Sequence, residues 1–262
     1  MSSEHNSERG RPVRRERVDR LLVERGLAPS RTRARALIEA GKVRAQDQPV
    51  TRASELFASD VELSITELDH PYVSRGGLKL EGALQDLAVD VRGCVLADIG
   101  ASTGGFTDCA LQHGAARVYA IDVGHAQLHA SLRGDPRVTS LEGVNARHLT
   151  ADSLPERVDL IVIDASFIGL AKLLPALTPL LAPAGKLLAL VKPQFEVGPE
   201  RVGRRGVVSD DALRQAALDD VRSDAEQLGL TLLASADSRV QGPEGNREIF
   251  ALFTRAASVA RE

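Results

Sequence analysis

The chain has 262 residues, is 43% hydrophobic, lacks Trp and is only 3% aromatic, so it is long enough for one large or two smaller domains with a core of Leu, Val, Ala and Ile. A formal net charge of −3 excludes a uniformly cationic polyanion binder. The polar N-terminus and the lack of a long apolar run argue against a signal peptide or membrane span, so a soluble, cytoplasmic protein is expected.

Charge is unevenly placed. From Arg11 to Thr51 the basic residues Arg11, Arg14, Arg15, Arg17, Arg20, Arg25, Arg31, Arg33, Arg35, Lys42 and Arg44 face only Glu16, Asp19, Glu24, Glu39 and Asp47. A basic segment on an acidic remainder points to nucleic acid, although a solvated helix face has the same composition. Residues Met1–Val13 are polar and expected to be disordered. RVDRLLVERG fits a helix with Val18, Leu21 and Leu22 on one face and Gly26 as its stop. Ser30 is placed to cap a second helix, TRARALIEAG, with Ala34, Leu37 and Ile38 inward and Gly41 at its end. Arg31, Arg33 and Arg35 cluster at its start, where they can grip phosphates. Short strands joined by turns follow through Ile65.

The stretch DRLLVERGLAPSRTRARALIEAGKVRAQDQPV resembles the RNA-binding module named after the fourth protein of the small ribosomal subunit, over roughly Arg14 to Leu68. The limits expected are 14–69 for this module, 70–74 for a linker (HPYV onward) and 75–258 for a second domain.

SRGGLKLEGALQDL reads as a helix with Leu78, Ala83 and Leu87 toward a sheet and Lys79 off that face, where a lysine is ordinarily solvated. Beyond it the pattern alternates. VLADI, RVYAI, RVTSLE, VDLIVID and KLLALVK are strand candidates, and FTDCALQHG, GHAQLHASL and FIGLAKLLPALTPLLA are helix candidates. This predicts an α/β fold: a mostly parallel, Rossmann-like sheet, closed by an antiparallel edge pair, TLLASADS and EIFALFT.

In ADIGASTGGFTD a strand runs into a glycine-rich turn and a helix, a turn that lets a ligand approach backbone N–H groups. No Lys-Ser/Thr follows Gly105, which argues against a triphosphate loop. Asp98 opens the turn and Asp122 ends the next strand, where an acid typically holds ribose hydroxyls. The pair suits S-adenosylmethionine better than a pyrophosphate. The candidate donor-binding residues are Asp98, Gly100, Ser102, Gly104, Gly105, Phe106, Asp122, Val123, Asn145 and Asp164. Two cysteines, Cys94 and Cys109, lack metal-site spacing, and no metal is expected.

Ligands of parallel sheets sit at the C-terminal strand edge, and that rule gathers Gly100, Asp122, Asn145, Asp164 and Lys192, with Glu248 in reach of the same rim. Acids and lysines there form either plain ion pairs or a device for deprotonating a poor acid such as a ribose hydroxyl. ADIGASTGGFTD, IDVG, VIDASF, LVKPQFE and GNREIF are similar to the heat-shock-type (FtsJ-like) ribose 2′-O-methyltransferases. That resemblance implies a Lys-Asp-Lys-Glu tetrad on Lys79, Asp164, Lys192 and Glu248, with Lys192 as general base and S-adenosylmethionine as methyl donor. With the basic module in front, the chain resembles the TlyA family of ribosomal RNA cytidine 2′-O-methyltransferases, an older label for which is haemolysin. The linker HPYV departs from the Arg-Ala-Trp type of some members.

The resemblance implies ribosomal RNA or ribosomal subunits as partner, and Arg17, Arg31, Arg33, Arg35, Lys42, Arg44 and Arg75 are the candidate RNA contacts; Arg201, Arg204 and Arg205, in a glycine-rich loop beside Lys192, either grip RNA backbone or belong to a mobile solvated loop. No stable membrane partner is expected, and no pattern specifies an oligomer. Three other readings stay open: a non-catalytic ribosome-assembly factor, a small-molecule methyltransferase and a membrane-active protein.

Overall fold

The computed structural model describes residues 15–28, 30–65, 70–203, 206–242 and 245–255. The expected disorder of Met1–Val13 lies outside them. The chain forms two compact units, Met1–Glu67 and Leu68–Glu262.

In the first unit, strand β1 (Arg15–Arg17) leads into helices α1 (Val18–Glu24) and α2 (Arg31–Glu39). Strands β2 (Val43–Ala45), β3 (Gln48–Pro49), β4 (Leu56–Ala58) and β5 (Leu63–Ile65) follow. Val18, Leu21 and Leu22 pack on Ala34, Leu37, Ile38 and Val43, as helical spacing requires. The Ser30 hydroxyl accepts the Arg33 N–H at 3.2 Å, so the expected cap is formed. The antiparallel pairing of β1 with β4 had no signal in the sequence pattern.

The second unit begins with α3 (Gly76–Asp86). It continues through β6 (Val95–Ile99), α4 (Gly105–Gln112), β7 (Arg117–Asp122), α5 (Ala130–Arg133), β8 (Val138–Glu142) and β9 (Val158–Ile163). It ends with α6 (Leu174–Leu177), β10 (Leu181–Val191), α7 (Pro193–Glu196), α8 (Asp211–Gln227), β11 (Leu230–Asp237) and β12 (Ile249–Arg255). The sheet order is β11-β12-β10-β9-β6-β7-β8, with β12 antiparallel to both neighbours. Alternate strand residues face opposite layers. Leu96, Val118, Leu160 and Leu188 pack with α3 and α4, whereas Ala97, Tyr119, Ile161 and Leu187 pack with α6 and α8. Strand order reverses between β6 and β9, which opens a crevice at their C-terminal ends.

Two expected helices are shorter than their patterns. In place of the helix expected over 124–132 there is one short helix, Ala130–Arg133. The Glu142 carboxylate accepts the N–H groups of Ala126, Gln127 and Leu128 at 3.1, 2.7 and 3.0 Å, so those donors are committed outside a helix. The stretch 167–182 is broken into 3₁₀ turns at Leu170–Lys172 and Thr178–Leu180 around α6, because Pro175 and Pro179 lack an N–H. Among the described residues no helix is long and apolar enough to cross a membrane.

Candidate active site

The glycine turn after β6 is shaped by close backbone approach. A Cβ on Gly100 (φ +83°) would stand 2.8 Å from the Asp164 carbonyl oxygen, so only glycine lets this turn and the loop after β9 lie together. The Asp122 carboxylate accepts the Ser102 N–H at 2.8 Å and the Gly124 N–H at 2.7 Å, which ties the ends of β6 and β7. Gly104 caps α4 in the left-handed region. Val123 is 69% exposed just past β7. Asn145 is exposed and its side-chain oxygen accepts the Arg147 N–H at 3.1 Å.

Gly105 and Phe106, expected at the donor, also pack the helices together. A Cβ on Gly105 would meet Ser74 Oγ at 2.3 Å and the Gly77 nitrogen at 2.9 Å, so this glycine serves the approach of α3 to α4. The Phe106 ring is buried against Phe250, with centroids 6.1 Å apart. The helix-start spacing that suggested ligand contact is equally a helix-packing position.

Asp98 is fully buried. Its Oδ2 accepts the Thr107 hydroxyl at 2.7 Å, while Oδ1 has no partner among the described residues. Burial pushes this carboxyl up to about 7, against the Thr107 hydrogen bond and with the negative charges of Asp164 and Asp122 adding to it. A carboxyl raised on folding keeps its proton in the folded state, so its stabilising contribution is full below about pH 4 and is lost as pH rises to about 7. Asp98→Asn should therefore flatten the pH dependence of stability, which urea unfolding at pH 5 and pH 7 measures. An unchanged slope would contradict the assignment.

Two lysine–acid pairs converge on the sheet edge. Lys79 Nζ lies 2.6 Å from Glu248 Oε2, with side chains 9% and 1% exposed. Lys192 Nζ lies 2.6 Å from Asp164 Oδ1 and donates to Ser166 Oγ at 2.8 Å. Burial alone would push the Asp164 carboxyl up, but the positive charges of Lys192 and Lys79 outweigh it and hold it below the usual carboxylate range. Lys79 is therefore close enough for its charge to be felt at the Asp164–Lys192 pair.

Position alone placed Lys79 on a solvated face; the structure corrects this. The buried face of α3 is Leu80, Ala83 and Leu84, with Leu78 and Leu87 only partly covered, and Lys79 is itself buried on the flank that meets Glu248. Removing one member of a buried pair strands the other charge. Glu248→Ala should cost about 3–5 kcal/mol in urea unfolding; a loss within ordinary surface-mutation scatter would show the pair to be solvated.

Three neighbours were missed from sequence. Ser166 contacts Lys192, and Phe167 is 90% exposed at φ +65° with its ring 5.3 Å from Phe195. A left-handed backbone at a bulky residue is strained, and such strain gathers at functional sites. Glu196 accepts the Leu170 N–H at 3.0 Å and ties the loop after β9 to α7, immediately beyond Lys192. Burial, with Asp224 and Asp220 nearby, raises its carboxyl to about 7 against that hydrogen bond.

In the first unit, the carboxylate of Asp19 is fully buried and collects three arginines. Arg17 and Arg31 reach it at 3.0 and 2.9 Å and Arg35 at 3.6 Å, each arginine side chain remaining 41–55% exposed. The hydrogen bonds of Arg17 and Arg31 hold Asp19 down to about 2 against its burial. Arg33 and Lys42 are half-buried, and Arg44 bonds the Asp47 carbonyl at 3.0 Å. In the second unit Arg75 is half-buried at the start of α3 and Arg201 pairs with Glu200 at 3.8 Å, while Arg204 and Arg205 lie outside the described residues.

Comparison with known proteins accords with both units. Residues 72–255 match the FtsJ-like methyltransferase family and residues 16–60 the S4 domain. The chain is 48% identical over 239 residues to the 16S/23S rRNA (cytidine-2′-O)-methyltransferase TlyA of Mycobacterium tuberculosis, covering 91% of this chain and 89% of that one. It is 37% identical to a protein named Hemolysin A from Brachyspira hyodysenteriae, covering 90% and 99% of the two. A solved structure from Streptococcus thermophilus, carrying a provisional hemolysin name, is 39% identical with a TM-score of 0.73 and covers 94% of this chain and 90% of that one. With an S4 domain in front of an FtsJ-like methyltransferase domain and this level of identity over nearly its whole length, the chain belongs to the TlyA family of ribosomal RNA cytidine-2′-O-methyltransferases.

Proposed function

We propose that the protein methylates the ribose 2′-oxygen of a cytidine in ribosomal RNA, using S-adenosylmethionine and Lys192 as general base. The observation that carries this reading is the pair of short lysine–acid contacts, Lys192–Asp164 and Lys79–Glu248, beside a glycine turn at the strand edge. A ribose hydroxyl is scarcely ionised near neutral pH, so its oxygen needs a base within hydrogen-bond reach. Lys79 places a second cation whose charge is felt at the Asp164–Lys192 pair, Asp164 stabilises the ammonium formed, and Glu248 balances the charge of Lys79.

The residues fit the donor. The orphaned Asp98 Oδ1 marks a buried carboxyl with an unmet polar atom beside the turn, Gly100 keeps the turn open to ligand, Asp122 ends the strand where an acid typically holds ribose hydroxyls and Val123 offers an exposed apolar face. The donor supplies an electrophilic methyl group on a sulfonium. Gly100, Ser102, Gly104 and Asp122 would hold its methionine and ribose parts, and Asn145 would stand near its adenine. Gly105 and Phe106 could contribute backbone N–H groups only.

RNA docks on the 14–69 module through Arg17, Arg31, Arg33, Arg35, Lys42 and Arg44, with Arg75, Arg204 and Arg205 on the 75–258 domain. Residues 70–74 link the two, and the enzyme works in the cytoplasm. Asp19 arranges the exposed guanidiniums of Arg17, Arg31 and Arg35 on one buried anchor. Asp19→Asn is accordingly expected to weaken rRNA binding by about tenfold although it adds positive charge, because unanchored arginines must be ordered on binding. Filter binding on the folded full-length variant checks this; tighter binding would show that charge alone governs. The activity is tested by incubating the protein with labelled S-adenosylmethionine and ribosomal subunits lacking the modification. Label in rRNA is expected, and unlabelled rRNA with donor binding intact would favour an assembly factor.

A further inference from the structure

We propose that Ser166 is a positioning residue that aims the Lys192 amine at the ribose 2′-oxygen, a role resting on the reading of Lys192 as base. Lys192 Nζ has two polar contacts among the described residues, and they differ in kind. Asp164 Oδ1 stands 2.6 Å away as an ion-pair partner, yet that oxygen accepts no aligned hydrogen bond. Ser166 Oγ stands 2.8 Å away and accepts one. Asp164 thus supplies charge and Ser166 supplies direction.

Direction matters because a neutral primary amine has two N–H bonds and one lone pair. With one N–H donated to Ser166 the rotation of the amine is fixed, and the charge of Asp164 draws the second N–H toward it and leaves the lone pair in the remaining tetrahedral position. A freely rotating amine would present that lone pair only part of the time. The hydroxyl is well placed for this task. Lys192 is buried whereas Ser166 is exposed, so their contact lies at the boundary between the buried amine and solvent, from which a ribose must arrive. Its own position is fixed by the chain: Ser166 follows the end of β9 and Asp164, and the left-handed backbone at Phe167 turns the loop immediately after it.

In the step itself the ribose O–H bond breaks as a new N–H bond forms on Lys192, which becomes an ammonium. The electron pair left on oxygen makes the bond to the methyl carbon. The carbon–sulfur pair stays with sulfur and discharges the sulfonium. Ser166 exchanges no proton in this scheme.

The test compares Ser166→Ala, Ser166→Thr and Lys192→Ala as full-length proteins, with S-adenosylmethionine and ribosomal subunits as substrates. Ser166→Ala should lower kcat by about 10- to 100-fold, within the range for a misplaced general base, with KM for the subunits and the donor Kd kept within about twofold. Ser166→Thr keeps the hydroxyl at an exposed position and should recover most of the rate. An unchanged kcat in Ser166→Ala, a loss confined to KM or Kd, or a threonine variant as slow as the alanine one would each overturn the role. An active Lys192→Ala would instead remove the base assignment, whereas an inactive Lys192→Ala beside a fully active Ser166→Ala would remove only Ser166.

Discussion

Lys192→Ala is expected to lower methyl transfer by about 10³-fold while donor affinity stays within about twofold. The amine sits at the end of β10, 2.6 Å from Asp164, and the glycine turn that is proposed to hold the donor belongs to β6 and α4. Its removal therefore deletes the base without altering the backbone of the donor site. Lys192→Arg is the sharper control. Arginine keeps the positive charge against Asp164 but does not lose its proton in a protein. If Lys192 acts through charge alone, the arginine variant retains most of the rate; if it acts as base, the variant is as slow as alanine. Single-turnover transfer to ribosomal subunits, with donor binding followed by calorimetry, separates the two.

Gly100→Ala carries the second large effect. At φ +83° a side chain is strained by about 1–3 kcal/mol, and its Cβ would in addition stand 2.8 Å from the Asp164 carbonyl oxygen, a backbone atom that cannot rotate aside. Relief requires the loop that carries Asp164 and Ser166 to move from the turn after β6. Stability, donor binding and transfer should fall together. Gly229 is the matched control: it has φ +75° and nothing within 4 Å of the place a Cβ would take, so Gly229→Ala bears the backbone strain alone. Thermal unfolding of both variants isolates the cost of the contact, and equal shifts would show that the close approach has no consequence.

The parallel sheet was legible because its strands are short apolar runs between helical periods, and the strand-end rule then collected Asp122, Asp164 and Lys192. Ser30, Gly26 and Gly41 bound the small helices by local chemistry that is read from neighbours in sequence. What escaped is tertiary. Lys79 and Glu248 are 169 residues apart, and helical phase alone assigned Lys79 to solvent; only family resemblance singled it out. Ser166 carries no periodic signal, since its partner lies across the sheet edge on β10's continuation. The Gly-Gly-aromatic helix start at Gly105 and Phe106 also serves helix packing, a role that has no separate signal in the sequence. The broken stretch 167–182 was apolar enough to read as one helix, and its two prolines were the overlooked evidence.

The central claim is tested most directly by locating the transferred methyl group. Subunits are labelled from S-adenosylmethionine, and the rRNA is then hydrolysed in alkali, which cannot cleave beside a ribose whose 2′-oxygen is methylated. Label in an alkali-resistant dinucleotide beginning with cytidine, absent with Lys192→Ala, is the expected result. Label recovered in mononucleotides, on a base, would contradict the assignment of the ribose hydroxyl as acceptor and of Lys192 as its base.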